Sequence, residues 1–409
     1  MIGAMYTGMS GLSAYSKGLD SISNNISNLN TPGFKGSDLV FRDLFYQYQL
    51  NDEQNSGKTH TQIGQGVATH STSIQFSQGE LRDTGNSLDA AVRGNGFFIV
   101  SDGGQQYYSR SGQFSVDKDG YVVSLGSNYQ LLSLNSKNNL ETINIDAYRT
   151  LAPRATTEIK FSNNLSRSTE SSTPNRHEVS DVVILDKAGT EHKLKLILVE
   201  DKSTPFLHQW NLEVQNSKGI TINTGGQIRF QSNGTPEEGF NQYEFEFQPE
   251  GQETMSVKLF FGEPGSFANA TSFSAGTRSD LAVKSQNGST ASAIRDMAFD
   301  REGVFTITYA NGEELKLNQL AIAWFDDLQS LRQLGRGIFS ADDGMKKTIS
   351  SATQDGMGEI VSGKIELSNV EISTQFANLI ITQRGFQASS QILTTANEMM
   401  QELIESMRK

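Results

Sequence analysis

The chain has no cysteine in its 409 residues. That excludes disulfides, thiolate metal sites and thiol nucleophiles. Histidine is sparse: His60, His70, His177, His192 and His208 are scattered and make no HExxH or HxH spacing that would hold a metal. No apolar run approaches the ~20 residues a bilayer crossing needs, so no membrane insertion is expected. Basic residues are in deficit, with 34 Lys and Arg against 46 Asp and Glu and a formal charge of −12. With no Lys/Arg-dense run either, the balance argues against a nucleic-acid binder. The opening residues, "MIGAMYTGMSGLSAYSKGLD", lack a basic region leading into a continuous apolar one, and no cleaved signal peptide is expected.

Proline is also scarce, at 7, while glycine is plentiful, at 38. Many short apolar, Thr-rich or aromatic runs are set off by Gly, Asn, Asp and Ser, the texture of a mostly β chain. The two ends read differently. Met5, Leu12, Leu19 and Ile26 recur every seven residues, and Tyr15, Ile22 and Leu29 form a second seam three residues after the first. That is the a/d pattern of a coiled coil. The intervening Ser, Asn and Gly are poor helix formers, so this helix is soft on its own. "NTPGFKG" stops it, because Pro32 disfavours the helical basin before it and Gly33 turns easily. At the other end, Ile372, Leu379, Phe386, Leu393, Met400 and Met407 recur at sevens, with Ser389, Ala396 and Leu403 three further on. One helix over 370–408 would span roughly 58 Å. The spacing predicts a paired terminal coiled coil that orders fully on contact with neighbouring subunits.

After the bend (Asn30, Pro32, Gly33, Phe34) comes an aromatic segment with Phe41, Leu44, Phe45 and Tyr48. Those side chains either pack between subunits or cover their own β domain; exposed apolar clusters favour the first. In "AAVRGNGFFIV", Gly94 and Gly96 suit a tight hairpin between two strands; a phosphate cradle is a weak reading, since the full GxGxxG is missing. "FSVDKDGYVVSL" echoes "MAFDREGVFTIT". Asp117 with Gly120, and Asp300 with Gly303, predict β-turns; an EF-hand needs more carboxylates and a distal Glu. Residues ~150–285 alternate apolar and polar positions between turns, as an antiparallel sandwich or barrel does. The predicted fold is mainly β with a terminal α-helical coiled coil and nested, discontinuous β domains. Residues 1–30 plus 366–409 form the coiled coil and 31–72 an extended connector. Residues 73–149 plus 286–365 form an inner β domain, and 150–285 an inserted outer one. No catalytic, cofactor-binding or metal residues emerge. Asp326-Asp327, Asp342-Asp343 and Glu237-Glu238 are adjacent acids in loops, which ordinarily just face solvent rather than flank a glycosidic bond. The Asn-x-Ser/Thr sites at Asn25, Asn164, Asn233, Asn269 and Asn287 occur at chance level.

In this layout the motifs resemble the axial proteins of the bacterial flagellum, the rod and hook family. "SISNNISNLNTPGFKGSDLVFRDLF" looks like that family's N-terminal signature, and "TGNSLDAAVRGNGFFIV" its inner β-domain motif. "GEIVSGKIELSNVEISTQFANLIITQRGFQASSQILTTANEMMQELI" resembles its C-terminal helix region, and "GVFTITYANGEELKLNQLAIAWFDDLQSLRQLGRGIFSADDG" its closing β segment. The matches cover about half the chain; the large insert is unlike the short rod members and like the hook-type ones. The resemblance implies a non-enzymatic structural subunit without cofactors, a homo-polymer forming a curved tube that carries torque and encloses an export channel. It also implies passage through the flagellar type III export apparatus to the cell exterior, and contacts with distal rod, hook cap and hook–filament junction proteins. A cysteine-free chain suits such threading, because no disulfide can trap it. A distal rod or other axial protein, or a secreted β-rich adhesin, are the alternatives.

Overall fold

Heptads at the ends and two-residue alternation between them give a helix at each terminus, α1 (Ile2–Ser27) and α2 (Ile372–Met407), with strands throughout the middle. The structure, a computed structural model, describes all residues except 1, 52–58, 136, 168–173, 204–207, 250, 275–277, 343 and 408–409. The chain divides into two compact units. One comprises Met1–Ala147, Asp296–Thr308 and Glu314–Lys409; the other comprises Tyr148–Arg295 and Tyr309–Glu313.

The first unit is organised on the strand Phe97–Asp102, whose "FFIV" is buried throughout. A strand without a polar face must be covered on both sides. It pairs antiparallel with Gln105–Ser109 on one side, and with Gln130–Leu134 and Ile322–Phe325 on the other. The Phe97 ring meets Phe76, Phe325 and Phe339 edge-on or tilted, within 6.2 Å centroid to centroid. Gln130–Leu134 also pairs with Glu314–Leu320, so segments from before and after the second unit's main stretch share one sheet.

Two turns take the form expected from their Asp-x-x-Gly sequences. Asp117 accepts the amides of Asp119 and Tyr121 at 3.0 and 2.8 Å, and Gly120 sits at φ 81°. Asp300 accepts the Val304 amide at 2.7 Å, and Gly303 sits at φ 80°. Gly94 and Gly96 do not close a hairpin. The strands they join lie in different sheets: Ala90–Arg93 pairs with Glu359–Ser362, not with Phe97–Asp102. The segment is a corner, pinned by the Arg110 guanidinium, which donates to the Gly96 and Gly94 carbonyls at 2.6 and 2.9 Å. A Cβ on Gly96 would lie 2.2 Å from Ile322 Cγ2, so close packing as well as turning requires glycine there.

Residues 31–72, expected as an extended connector, contain paired strands. Ser37–Asp43 pairs with Val67–Ile74, and Tyr46–Asn51 with Thr59–Gly64, both antiparallel. The base of this ribbon lies beside α1: Ser10 Oγ accepts the Val67 amide at 3.3 Å, and Ser21 Oγ donates to the Ser37 carbonyl at 2.9 Å.

The second unit has two sheets around one core. Arg176–Leu185, Glu191–Asp201, Gln209–Asn216 and Thr221–Arg229 form a four-stranded meander. The other sheet runs Gln242–Phe247, Met255–Phe260, Glu158–Asn164, Ala270–Thr271, with Ala282–Gln286 also paired to Glu158–Asn164. Leu194, Leu196 and Leu198 alternate into the core from one sheet, Phe245, Val257 and Leu259 from the other. The sandwich is not wholly antiparallel. Glu158–Asn164 runs parallel to Met255–Phe260 and to Ala270–Thr271. Alternation reports which face is buried and carries no information on strand direction, so sequence pattern alone does not reveal this.

Candidate assembly site at the paired chain ends

Both terminal helices belong to the first unit and pack antiparallel. Gly18 lies against Thr382, while Gly8 lies against Ser389 and Leu393. The buried positions of α1 are Gly8, Gly11, Ala14, Gly18, Ile22 and Asn25. Those of α2 are Gln375, Ser389 and Ala396. The seam is therefore made of small and polar residues. An added Cβ would lie 2.7 Å from Ser389 Oγ at Gly11, 3.2 Å from Thr382 Cγ2 at Gly18, and 2.5 Å from the Tyr15 ring at Gly385. Glycine inside a helix costs about 1 kcal/mol relative to alanine. Here that loss lets the two backbones approach.

Of the residues expected to form the α1 seam, Ile22 is buried, while Met5, Leu12, Tyr15, Leu19, Ile26 and Leu29 are half-buried along its flanks. In α2, Leu379, Phe386, Leu393 and Met400 are half-buried. Ile372 and Met407, at the ends of that series, are 45% and 80% exposed. The same helix presents Phe376, Ile380, Ile381, Ile392 and Ile404 to solvent. At 100° per residue these five are spread around the helix and do not share one face, and so many exposed apolar side chains mark contact surfaces.

The bend after α1 is fixed by side chains that sequence reading passes over. Asn25 is almost fully buried; its Nδ2 donates to the Ser37 carbonyl at 2.9 Å and to Gln375 Oε1 at 3.2 Å, and its Oδ1 accepts the Ser37 amide at 3.0 Å. Gly33, at φ 70°, donates to the Glu366 carbonyl at 2.8 Å, and a Cβ there would lie 2.5 Å from the Ser111 nitrogen. Asn369 Oδ1 accepts the Gly36 amide at 2.8 Å, and its Nδ2 donates to the Gln75 and Ser77 carbonyls at 2.6 and 3.0 Å. Asn30 is exposed, and Pro32 and Phe34 are half-buried. Along the ribbon, Phe41 tilts onto Tyr15 with ring centroids 5.9 Å apart yet stays 43% exposed, and Phe45 is 85% exposed. Leu44 is half-buried; the Tyr48 side chain lies outside the described residues.

One signal was available for the seam. Gly8, Tyr15, Ile22 and Leu29, with Gly11, Gly18 and Asn25, form a heptad of their own. It is invisible to any scale that scores only apolar side chains.

Three family models match along the chain in order. A "Flagella basal body rod protein" model matches residues 5–35, a "Flagellar hook protein FlgE/F/G D1 domain" model matches 91–164, and a "Flagellar basal body rod FlgEFG protein C-terminal" model matches 361–406. The flagellar hook protein of Borreliella burgdorferi is 28% identical over 99% of this chain and 99% of its own length. Along its whole length the chain is similar to members of the flagellar rod and hook protein family. The hook protein of Treponema pallidum is 25% identical over 100% of both chains, and that of Escherichia coli 26% over 97% of this chain and 98% of its own. A solved structure of a Helicobacter pylori hook protein aligns with a TM-score of 0.48 at 12% identity, over 68% of this chain and 98% of that one. The full-length relatives are hook proteins, so within the family this chain stands with the hook-type members and not with the distal rod. The models at the two ends fall on α1 and α2, and the D1-domain model covers the buried "FFIV" strand of the first unit and runs on into the first strands of the second.

Proposed function

We propose that the paired terminal helices are the polymerisation element of a flagellar hook subunit. The hook-type chain is a structural subunit that assembles with copies of itself into a tube. The observation that supports this is the division of labour on α2. Its small-residue face is used up by α1, while Phe376, Ile380, Ile381, Ile392 and Ile404 remain exposed for neighbours. Copies of the same helix pair, each with spare apolar side chains on several faces of α2, associate by hiding them from water.

The ribbon of residues 37–74 is a second contact in this reading. A two-stranded ribbon is marginal alone in water, and the exposed Phe45 would gain burial against a neighbouring molecule. The polar, glycine-rich loops of the second unit suit wet, adjustable contacts, which let a bending tube transmit torque. Export in an unfolded state through the flagellar type III apparatus, and end contacts with distal rod, cap and junction proteins, complete the reading.

Ile381→Asp with Ile404→Asp tests two of these exposed positions. Both residues are more than half exposed, so the monomer's melting temperature should hold within about 2 °C. Sedimentation of chains seeded with wild-type tubes should show the critical concentration rising at least tenfold. An unchanged critical concentration would rule these two positions out as assembly contacts.

A further inference from the structure

Three charges are buried together where the bend after α1 meets the β body. The side chains of Lys35 and Glu366 are fully buried, and that of Arg110 is 4% exposed. Lys35 Nζ lies 2.6 Å from Glu366 Oε1, and Arg110 Nε lies 3.3 Å from Glu366 Oε2. Among the described residues, Glu366 Oε2 accepts no hydrogen bond and has only this ion contact with Arg110; the other groups have local partners. Lys35 Nζ donates to the Ser77 carbonyl at 2.8 Å, Glu366 Oε1 accepts the Gly79 amide at 2.8 Å, and Arg110 holds the Gly94 and Gly96 carbonyls. Burial pushes the Lys35 ammonium below its usual range; Glu366 pulls it back up, and Arg110 pushes it down again. Burial likewise lowers Arg110, against the pull of Glu366.

The three residues come from three places in the chain. Lys35 follows α1, Arg110 lies in the β body, and Glu366 stands six residues before α2, 331 residues after Lys35. In a chain made from its N-terminus, both cations exist before the carboxylate does. Seating Lys35 beside Arg110 without Glu366 would bury two like charges with no counter-charge, the least tolerable arrangement in an interior.

We propose that Lys35, Arg110 and Glu366 form a closure lock, in which the bend after α1 seats on the β body only when the segment leading into α2 supplies Glu366 between the two cations. The lock keeps the soft N-terminal helix unset until the root of its partner helix is in place. Asn369 then stitches the same segment to Gly36, Gln75 and Ser77. The device belongs to the monomer and is independent of assembly.

Hydrogen exchange of the full chain, dilute and unassembled, tests it. In Glu366→Gln, the amides of Gly33, Gly36 and Gly79 should lose protection on the order of 10²-fold, while Phe97–Asp102 keeps its own. In the double variant Lys35→Met with Glu366→Gln, one cation remains and retains its two carbonyl acceptors. Protection at the bend should return to within about tenfold of wild type. If Glu366→Gln fails to fold while the double variant folds with a protected bend, the lock is supported. Wild-type protection in Glu366→Gln would overturn it. So would a double variant no better than Glu366→Gln, because the loss would then come from shape and not from charge.

Discussion

Replacing Trp210 with alanine is expected to melt the second unit and leave the first intact. Trp210 is fully buried, with Nε1 directed at Ser272 Oγ at 3.4 Å, inside a core shared by both sheets of that unit. Truncating a buried tryptophan costs roughly 3–5 kcal/mol in transfer and cavity terms. For a unit of this size that lowers its midpoint by on the order of 10 °C. The core around Phe97, Tyr108, Phe325 and Phe339 is a separate cluster in the first unit. Calorimetry of the wild type should resolve two transitions, and the substitution should move only one. A single transition shifting as a whole would mean the two cores do not unfold independently, and the proposed nested domains would lose their energetic meaning.

Replacing Gly385 with leucine should break the helix pair, although leucine is the better helix former. The two effects oppose each other. Helix propensity favours leucine by nearly ~1 kcal/mol, but the new Cβ would sit 2.5 Å from the Tyr15 ring. Overpacking of that kind costs typically ~1–3 kcal/mol and drives the Tyr15 ring out of its place against α2. The net sign should be destabilising, read as lost amide protection along α1 and failure to extend seeds. Gly3→Ala is the matched control. A Cβ at Gly3 meets nothing within 4 Å, so propensity acts alone and should stabilise α1 by about 0.5–1 kcal/mol. If both substitutions stabilise, the glycines are not there for close approach.

These contrasts mark where sequence reading succeeds and where it stops. Heptads in Leu, Ile, Phe and Met disclosed both helices, and alternation such as Leu194, Leu196 and Leu198 disclosed the sheets. Both are period signals imposed by which face meets water. The helix seam itself was read as glycine softness, because a missing side chain leaves no hydrophobic signal while still shaping a contact. The lock was out of reach for a different reason. Lys35, Arg110 and Glu366 are each an ordinary charge in sequence, and only the fold shows that they share one buried site. The Gly94–Gly96 corner was taken for a hairpin because glycine spacing reports where a chain turns and not which strand it meets next. The contacts at the bend lie inside the matched ends: Gly33 and Lys35 within residues 5–35, and Glu366 and Asn369 within 361–406.

The most direct test of assembly through the chain ends is electron microscopy of the purified chain at high concentration, beside a chain lacking residues 1–30 and 370–409. The shortened chain keeps Lys35, Arg110, Glu366 and Asn369, so its β body retains the lock. Both are examined alone and with seeds of wild-type tube. Tubes from the full chain only, curved along their length, are the expected result. Tubes of equal length and number from the shortened chain would contradict assembly through the terminal helices and place the contacts in the β units.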